Sequence, residues 1–246
     1  MYSVSIIIPF FKKKKFFKKT INSILKQSFK NFEIIIIYDD KNKSDLHYIR
    51  NYVQNYKNIK IFVNSRNLGV GLSRNIGIKK SKGEYLAFCD SDDTWKKNKL
   101  KDQLKFMKKN DLDLSYTSYN VINEKDTVIK LRKIKKRINY DILLTHCYIG
   151  LSTVMMKKKL ITNKTKFTNM KTKEDYLLWL NLSKKKFKIK GLNKILSSWR
   201  KTKHSLSSSV LQKLLDGFRL YNRELKYNFF KSFFYLIKLL FNSLIK

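Results

Sequence analysis

Short apolar runs alternate with amphipathic segments over the first part of the chain. Residues 4–8 and Phe32–Tyr38 are nearly continuous apolar runs, which is typical of strands buried on both faces of a parallel sheet. Between them, four apolar residues recur at helical spacing: Phe17, Ile21, Ile24 and Leu25. The pattern predicts a strand–helix–strand unit with parallel strands.

The same alternation continues along the chain and becomes looser after residue 93. We predict, in order, a helix over 45–55, strand Ile59–Val63, a helix ending near 81, a strand over 85–89, a helix around 100–107, strands over 112–119 and 152–156, and a helix over 173–182. This order of elements predicts an α/β fold, in which helices flank a mostly parallel central sheet. The only proline is Pro9 and no linker divides the chain, so we expect one domain over residues 1–210.

The charge of the chain suggests an anionic partner without identifying it. The 246 residues include 55 Lys and Arg against 18 Asp and Glu, a formal net charge of +37. Nucleic acid, an acidic membrane or a phosphorylated substrate would each suit that charge. However, only eight of the cations are Arg, the residue that dedicated phosphate and base readers favour. Lys, Ile, Asn, Phe and Tyr are all abundant, as AT-rich coding would produce, so the charge alone names no function.

Acidic residues are concentrated where two predicted strands end. Asp39 and Asp40 follow the second strand, and Asp90, Asp92 and Asp93 follow the fourth. Ligands of open α/β sheets bind beyond the carboxyl ends of the strands. Capping of the following helix is the alternative for any single Asp. Three carboxylates within four residues repel one another unless a cation neutralises them, which indicates Mg²⁺ or Mn²⁺ shared with a diphosphate.

Two other phosphate-binding designs lack their motifs. The turn after the first strand reads PFFK instead of G-x-G-x-x-G, and no Walker A loop is present. A metal, rather than a glycine-rich cradle, is therefore expected to hold the phosphates.

Four blocks in order resemble the family 2 glycosyltransferases of GT-A fold. They are VSIIIPFF at 4–11, IIIIYDD at 34–40, NLGVGLSRNIGIKKSKGEYLAFCDSDD at 67–93 and KEDYLLWL at 173–180. The resemblance implies a Rossmann-like fold and a metal-dependent, inverting transferase that uses a nucleotide-sugar. It also implies that residues 1–100 bind the nucleotide-sugar donor and residues 101–210 the acceptor.

The resemblance assigns the nucleotide pocket to the first three blocks. Pro9 and Phe10 would lie against the nucleotide, and Asp39 would accept a hydrogen bond from its base. The segment with Gly71 and Arg74 would close over the nucleotide. For Arg74 an alternative remains open, since its guanidinium could instead pair with an Asp at a strand end.

The acidic motifs would carry the chemistry. Asp90 and Asp92 match the family's D-x-D, with Asp92 the direct ligand of a divalent cation, Mn²⁺ or Mg²⁺. Asp93 would shape the sugar pocket or cap the next helix. Glu174 and Asp175 match the family's Glu-Asp pair, where Asp175 would be the general base that deprotonates the acceptor hydroxyl. The alternative is that the pair only favours a helix N-terminus.

A further segment resembles one in which a Tyr/Trp-Arg pair precedes a His- and Ser-rich stretch. Here it reads SWRKTKHS over residues 198–205. Arg200, Lys203 and His204 could reach the diphosphate, and His204 could be a metal ligand.

The C-terminal segment, residues 211–246, contains an amphipathic helix with a wide apolar arc. Its polar positions are Tyr227, Asn228, Lys231, Tyr235, Lys238, Asn242 and Lys246. Its apolar positions are Phe229, Phe230, Phe233, Leu236, Ile237, Leu240, Phe241 and Leu244. So wide an arc needs a partner: the catalytic domain, a second copy in a homo-oligomer, or an anionic membrane surface.

The first hypothesis is a transferase that moves a sugar, from a UDP-sugar by family habit, to a hydroxyl of a glycan or lipid-linked acceptor in cell-surface polysaccharide or lipopolysaccharide biosynthesis. Two Cys without CxxC spacing, no leader pattern and no eighteen-residue apolar run predict a cytoplasmic protein, peripheral on the inner face of the membrane. The alternative is a non-catalytic basic protein that binds nucleic acid or membrane. No nucleic-acid-binding motif is present, so no nucleic-acid partner is expected.

Overall fold

A mixed β-sheet lies at the centre of the computed structural model, which describes residues 2–185, 187–203 and 209–244. Within these residues the strands β1 to β9 are Val4–Phe10, Phe32–Tyr38, Ile59–Val63, Tyr85–Phe88, Thr94–Trp95, Leu114–Ile122, Val128–Arg132, Met155–Lys157 and Ile189–Arg200. The helices α1 to α8 are Lys14–Leu25, Leu46–Val53, Val70–Lys80, Lys99–Lys109, Tyr140–Thr145, Glu174–Ser183, Val210–Arg219 and Phe229–Leu244. The strand order is β3-β2-β1-β4-β8-β6-β9-β5, and β7 pairs with β6.

The first half of the sheet is entirely parallel. Strand β1 pairs with β2 on one side and β4 on the other, and β3 pairs with β2. Strand β8 then runs antiparallel to β4 and β6, whereas β6 and β9 are parallel. The predicted α/β fold with helices flanking a central sheet is therefore confirmed. Because β1, β2 and β4 share one direction, the residues that follow them meet at one edge.

Two strands have the bounds that the apolar pattern predicts, and others differ. Strands β2 and β3 agree with the predicted ranges, but β1 continues to Phe10. Pro9 fits inside β1 because its backbone nitrogen faces β4. The Ile7 carbonyl, two residues earlier and on the same side, accepts from the Cys89 backbone N–H, and β4 ends at Phe88. The missing N–H of proline therefore costs no ladder bond.

The predicted strand over 152–156 is wrong in its first residues. Leu151–Thr153 forms a 3-10 turn instead, and β8 begins only at Met155. The turn is favoured because the Ser152 hydroxyl donates to Asp93 and the Thr153 hydroxyl to the Gly150 carbonyl. The long strand β9 and the hairpin strand β7 are absent from the sequence-based prediction, since their apolar residues do not alternate regularly.

Alternate residues of β1 enter two separate cores. Val4, Ile6 and Ile8 pack with α1, α2 and α4 on one face of the sheet. Ile7 faces the other side, where α6 and the C-terminal helices contribute Trp179 and other apolar residues. This period of two is the expected behaviour of a central strand.

Helix α8 packs on the domain through one narrow face. Ser232, Leu236 and Leu239 are its buried residues, and the Asn242 side chain donates to the Thr145 carbonyl. Two residues placed on the predicted polar stripe, Tyr235 and Asn242, are therefore half-buried against the protein. Among the described helices, none combines the length and apolar character that a bilayer span requires.

Candidate functional site

The carboxyl ends of β1, β2 and β4 bring most of the predicted site residues to one edge of the sheet. Pro9 and Phe10 at the end of β1 are both buried. The Phe10 ring stacks on Tyr38 and meets Phe17 edge-on, with centroids 5.3 and 5.6 Å away. The Phe10 side chain therefore belongs to the core, and its carbonyl accepts from the backbone N–H of Asp39.

Asp39 organises the loop that leads into α3. Its buried carboxylate accepts hydrogen bonds from the Asn64 amide at 2.8 Å and from the backbone N–H groups of Leu68 and Gly69 at 2.8 and 2.9 Å. Gly69 has a φ of 87°, a left-handed conformation that favours glycine. By accepting these three hydrogen bonds, Asp39 fixes the loop beside the predicted base pocket.

Arg74 joins the two acidic motifs. Its guanidinium, which is 3% exposed, bonds to the Asp90 carboxylate at 2.7 Å and to the Glu174 carboxylate at 2.5 Å. The sequence left open whether Arg74 pairs with an Asp at a strand end. In the structure it does, and the partner is Asp90. One side chain thereby brings the D-x-D segment and the start of α6 together.

Glu174 and Asp175 begin α6 directly after Lys173, which has a left-handed φ of 66°. Burial raises the pKa of Glu174 to about 7, although Arg74 opposes the shift. Burial also raises the pKa of Asp175, again against the effect of Arg74. The Asp175 side chain accepts from the Tyr176 backbone N–H at 2.7 Å and is only partly buried. A carboxylate of raised pKa that is still accessible can accept a proton from a bound hydroxyl.

Asp92 is paired with Lys13. The Lys13 ammonium lies 2.8 Å from the Asp92 carboxylate and 3.0 Å from the Thr202 hydroxyl. Burial raises the pKa of Asp92, and Lys13 opposes that shift. Lys13 is a residue that the sequence analysis missed, because it stands within an unbroken run of four lysines that gives no spacing signal.

Asp93 and Arg200 hold the site together from within the protein. The fully buried Asp93 accepts from the Ser152 hydroxyl at 2.5 Å and the Arg200 backbone N–H at 2.8 Å. The Arg200 guanidinium donates to the Asp92 carbonyl and pairs with Asp126. The central carbon (Cζ) of this guanidinium lies 4.7 Å from the centre of the Phe16 ring. With 1% of its surface exposed, Arg200 occupies a structural position, unlike the diphosphate contact expected from the sequence.

Lys203 and His204 are the other residues of segment 198–205 that were predicted to reach the diphosphate. Lys203 is exposed, and its backbone N–H donates to Glu124 at 3.3 Å. His204 lies outside the described residues.

Asp216 on α7 is a second residue that sequence reasoning missed. It is 3% exposed, and its carboxylate accepts from both the backbone N–H and the hydroxyl of Thr172, at 2.9 and 2.8 Å. Thr172 stands two residues before Glu174. The C-terminal helices therefore hold the segment that leads into the Glu-Asp pair.

Two carboxylates fit a divalent cation that is completed by substrate. Within the described part of the chain, no three His, Cys, Asp or Glu side chains converge as a ready-made metal site. Asp90 remains about one-third exposed and Asp92 lies two residues away with a carboxylate that already binds an ammonium. Mg²⁺ and Mn²⁺ accept few protein oxygens when waters and a diphosphate supply the others, so this donor set suits such a cation.

Gly71 allows α3 to approach the Glu-Asp segment. A methyl group at this position would overlap the Thr168 carbonyl oxygen and lie 3.3 Å from the Glu174 side chain. We expect Gly71→Ala to lower the free energy of unfolding by about 1–3 kcal/mol, because backbone must move to admit it. Urea unfolding measures this loss. The control is Gly150→Ala, where the nearest atom is a Tyr119 ring carbon at 3.2 Å; equal costs for the two variants would contradict the prediction.

Lys99, the first residue of α4, is fully buried. Its ammonium donates to Gln103 at 2.8 Å and lies 4.3 Å from the centre of the Trp95 ring. Burial lowers the pKa of Lys99 to about 7. Between about pH 7 and the ordinary pKa of lysine, Lys99 is protonated in the unfolded chain and deprotonated in the folded chain. The free energy of unfolding should therefore fall as the pH falls, by about 1.4 kcal/mol per unit over that range.

Lys99→Met should remove this component of the pH dependence. Urea unfolding at a series of pH values checks it: the difference in stability between Lys99→Met and the wild type should widen in favour of the variant from about pH 10 to about pH 7. Lys101→Met, at an exposed position of α4, is the control and should keep the wild-type slope. A constant difference across the range would show that Lys99 stays charged in the folded protein.

The comparisons with known proteins agree with this geometry. Residues 5–175 match the family model of Glycosyl transferase family 2. The chain is 34% identical to the UDP-Glc:alpha-D-GlcNAc-diphosphoundecaprenol beta-1,3-glucosyltransferase WfgD of Escherichia coli. The 215 aligned residues cover 87% of this chain and 83% of WfgD. The chain therefore belongs to glycosyl transferase family 2, and the resemblance found in its sequence is confirmed.

Solved structures of other transferases share the fold. Residues 1–349 of TarS from S. aureus, in complex with UDP-GlcNAc, match with a TM-score of 0.74 at 22% identity, covering 97% of this chain and 71% of that one. The mannosyltransferase PcManGT from Pyrobaculum calidifontis, in complex with GDP-Man and Mn²⁺, matches with a TM-score of 0.71 at 11% identity, covering 99% and 74%. The expected GT-A fold is thus confirmed. Family membership favours a transferase over a non-catalytic basic protein.

Proposed function

We propose that this glycosyltransferase moves a sugar from a UDP-sugar to a hydroxyl of a lipid-linked acceptor, with inversion, in cell-surface polysaccharide biosynthesis. The observation that carries the proposal is the Arg74 bridge, which holds Asp90 and Glu174 on one guanidinium. A donor-side motif and an acceptor-side motif are thereby held on the same side chain. The likeness to WfgD, whose name describes UDP-Glc as donor and a diphosphoundecaprenol-linked sugar as acceptor, supports the choice of substrates.

Asp90 and Asp92 would hold Mn²⁺ or Mg²⁺ against the donor diphosphate. When bound, the cation supplies positive charge for the leaving diphosphate. Lys13 lies 2.8 Å from Asp92 and adds a second positive charge on the same side. Asp39 holds the loop that leads into α3, and Gly71 lets α3 lie close to Glu174.

Asp175 would act as the general base. Its raised pKa and partial exposure suit the removal of a proton from the acceptor hydroxyl. The acceptor oxygen then forms a bond to the anomeric carbon as the bond to the diphosphate breaks on the opposite face. The proton remains on Asp175, and no covalent enzyme intermediate is needed.

Donor binding is the first test of this assignment. Thermal unfolding in the presence of a panel of UDP-sugars with MnCl₂ should show a raised Tm for at least one of them, since a ligand of the native state stabilises it. The shift should shrink when Mn²⁺ is omitted and should disappear in Asp92→Asn. No shift with any nucleotide-sugar in the panel, with or without Mn²⁺, would contradict the proposal.

A further inference from the structure

The C-terminal helices expose an unusual number of large apolar side chains. Of fifteen such side chains exposed in the described parts of the chain, nine belong to α7 and α8. Six of them lie on α8 and form the aromatic face: Phe229, Phe230, Phe233, Phe234, Ile237 and Phe241. Their exposed fractions run from 50% to 83%. Contiguous exposed apolar surface of this kind marks a contact site.

The aromatic face points away from the domain. Its residues follow one another at helical spacing, while the buried residues Ser232, Leu236 and Leu239 occupy a different side of α8. Packing on the domain therefore uses one side of the helix and leaves the aromatic face free.

Helix α7 extends the same surface. Leu211, Leu215 and Phe218 recur at helical spacing, and the first two are 67% and 58% exposed. The Phe218 ring lies 5.5 Å from the Phe229 ring. The apolar sides of α7 and α8 therefore meet at this contact.

The charges around the aromatic face are positive. Lys231 and Lys238 are exposed on α8 beside it, and the Lys238 ammonium lies 4.3 Å from the centre of the Phe234 ring. The acids of residues 209–244 are Asp216, which is buried against Thr172, and Glu224. An aromatic arc edged by lysines is the pattern of a helix that lies in a membrane interface and contacts anionic headgroups.

We propose that the aromatic face of α8, continued by α7, docks on an anionic lipid bilayer. A second copy of the chain is the less favourable occupant, because each copy carries a net charge of +37 and the two would repel. Anionic lipid instead offers charge of the opposite sign and an apolar layer for the phenylalanine rings.

Docking would also orient the catalytic site, a consequence that rests on the proposed function. Asp216 of the docked α7 binds Thr172 at 2.9 and 2.8 Å, two residues before Glu174. The helices that contact the bilayer thus hold the segment that carries Asp175. The acceptor hydroxyl would be presented next to the membrane in which a lipid-linked acceptor is anchored.

Vesicle sedimentation tests the docking. The full chain should bind vesicles of mixed phosphatidylglycerol and phosphatidylcholine and bind poorly to phosphatidylcholine alone. The double variant Phe230→Glu/Phe234→Glu should bind the mixed vesicles at least about tenfold more weakly. The matched control is Val128→Glu/Ile129→Glu, which places the same charges on exposed positions of β7, 53% and 50% exposed, and should bind as the wild type does.

The results of this experiment distinguish a bilayer from a second copy of the chain as the occupant of the aromatic face. Equal loss in both double variants would mean that added negative charge alone causes the effect and would overturn the proposal. A dimer in solution that Phe230→Glu/Phe234→Glu dissociates, with no vesicle binding by the wild type, would assign the face to a second copy. Asp175→Asn should bind vesicles normally, so loss of sugar transfer and loss of docking are separate results. Unchanged Tm values exclude unfolding of the variants.

Discussion

Replacing Asp175 by Asn should lower kcat for sugar transfer by about 10²–10⁴-fold, because the amide cannot accept the proton of the acceptor hydroxyl. The substitution keeps the size of the side chain, and its oxygen can still accept from the Tyr176 backbone N–H. Donor binding should therefore survive. Steady-state kinetics with a fixed acceptor, together with the Tm shift caused by the donor, measure both quantities.

The control for this variant is Asp111→Asn. Asp111 is exposed and adopts a left-handed φ of 44°, which asparagine accepts readily. It should leave kcat unchanged. If Asp175→Asn retained kcat within a few-fold of the wild type while donor binding was intact, Asp175 would not be the base.

Arg74→Met should be the most destabilising of the substitutions considered, with a loss of about 3–5 kcal/mol in the free energy of unfolding. Removal of the guanidinium leaves the buried carboxylate of Glu174 without its cation and Asp90 without its partner. The loss should be largest at alkaline pH and become smaller as the pH falls toward about 7, because Glu174 without Arg74 has a still higher pKa and takes up a proton over that range. Urea unfolding at about pH 9 and about pH 7 measures both effects.

Arg50→Met serves as the matched control, because Arg50 is an exposed residue of α2. It should change the free energy of unfolding by less than about 0.5 kcal/mol. A similarly small change for Arg74→Met would mean that the bridge between Asp90 and Glu174 contributes nothing to the fold. The site would then need another explanation for the proximity of its two motifs.

Strand β2 was predictable because burial on both faces leaves an unmistakable apolar run, and Phe32–Tyr38 has the expected bounds. Edge strand β3 is only partly buried, but its run Ile59–Val63 is interrupted by Lys60 alone and also has the expected bounds. The convergence of Asp39 and Asp90 followed as well, since parallel strands that share a direction end at the same edge. For this part of the site, local pattern and topology were sufficient.

Contacts between distant positions were beyond the sequence. Arg74 and Glu174 are one hundred residues apart, and the sequence left two roles open for Arg74: closing over the nucleotide or pairing with a strand-end Asp. The same holds for Arg200, which the motif resemblance directed to a diphosphate and the structure buries beside Asp92 and Asp93. Asp216 carries no motif at all. Its role depends only on where α7 packs.

The C-terminal helix shows the limit of a periodicity argument. Apolar residues surround most of α8, so the sequence could not decide which side packs on the domain. The structure turns Ser232 toward the core and leaves Phe230 exposed. A serine fits there because its hydroxyl donates to the carbonyl of Asn228, the residue just before the helix, and its small side chain allows close packing.

The most direct test of the account is the formation of a lipid-linked product. The full chain, with MnCl₂, would be incubated with a panel of radiolabelled UDP-sugars and with GlcNAc-diphosphoundecaprenol, the kind of acceptor named for WfgD, as well as with bacterial lipid extract. We expect label from at least one donor to enter the organic phase with the wild type and not with Asp175→Asn. Equal organic-phase label for the two proteins across the whole panel would contradict the assignment of a transferase with Asp175 as its base.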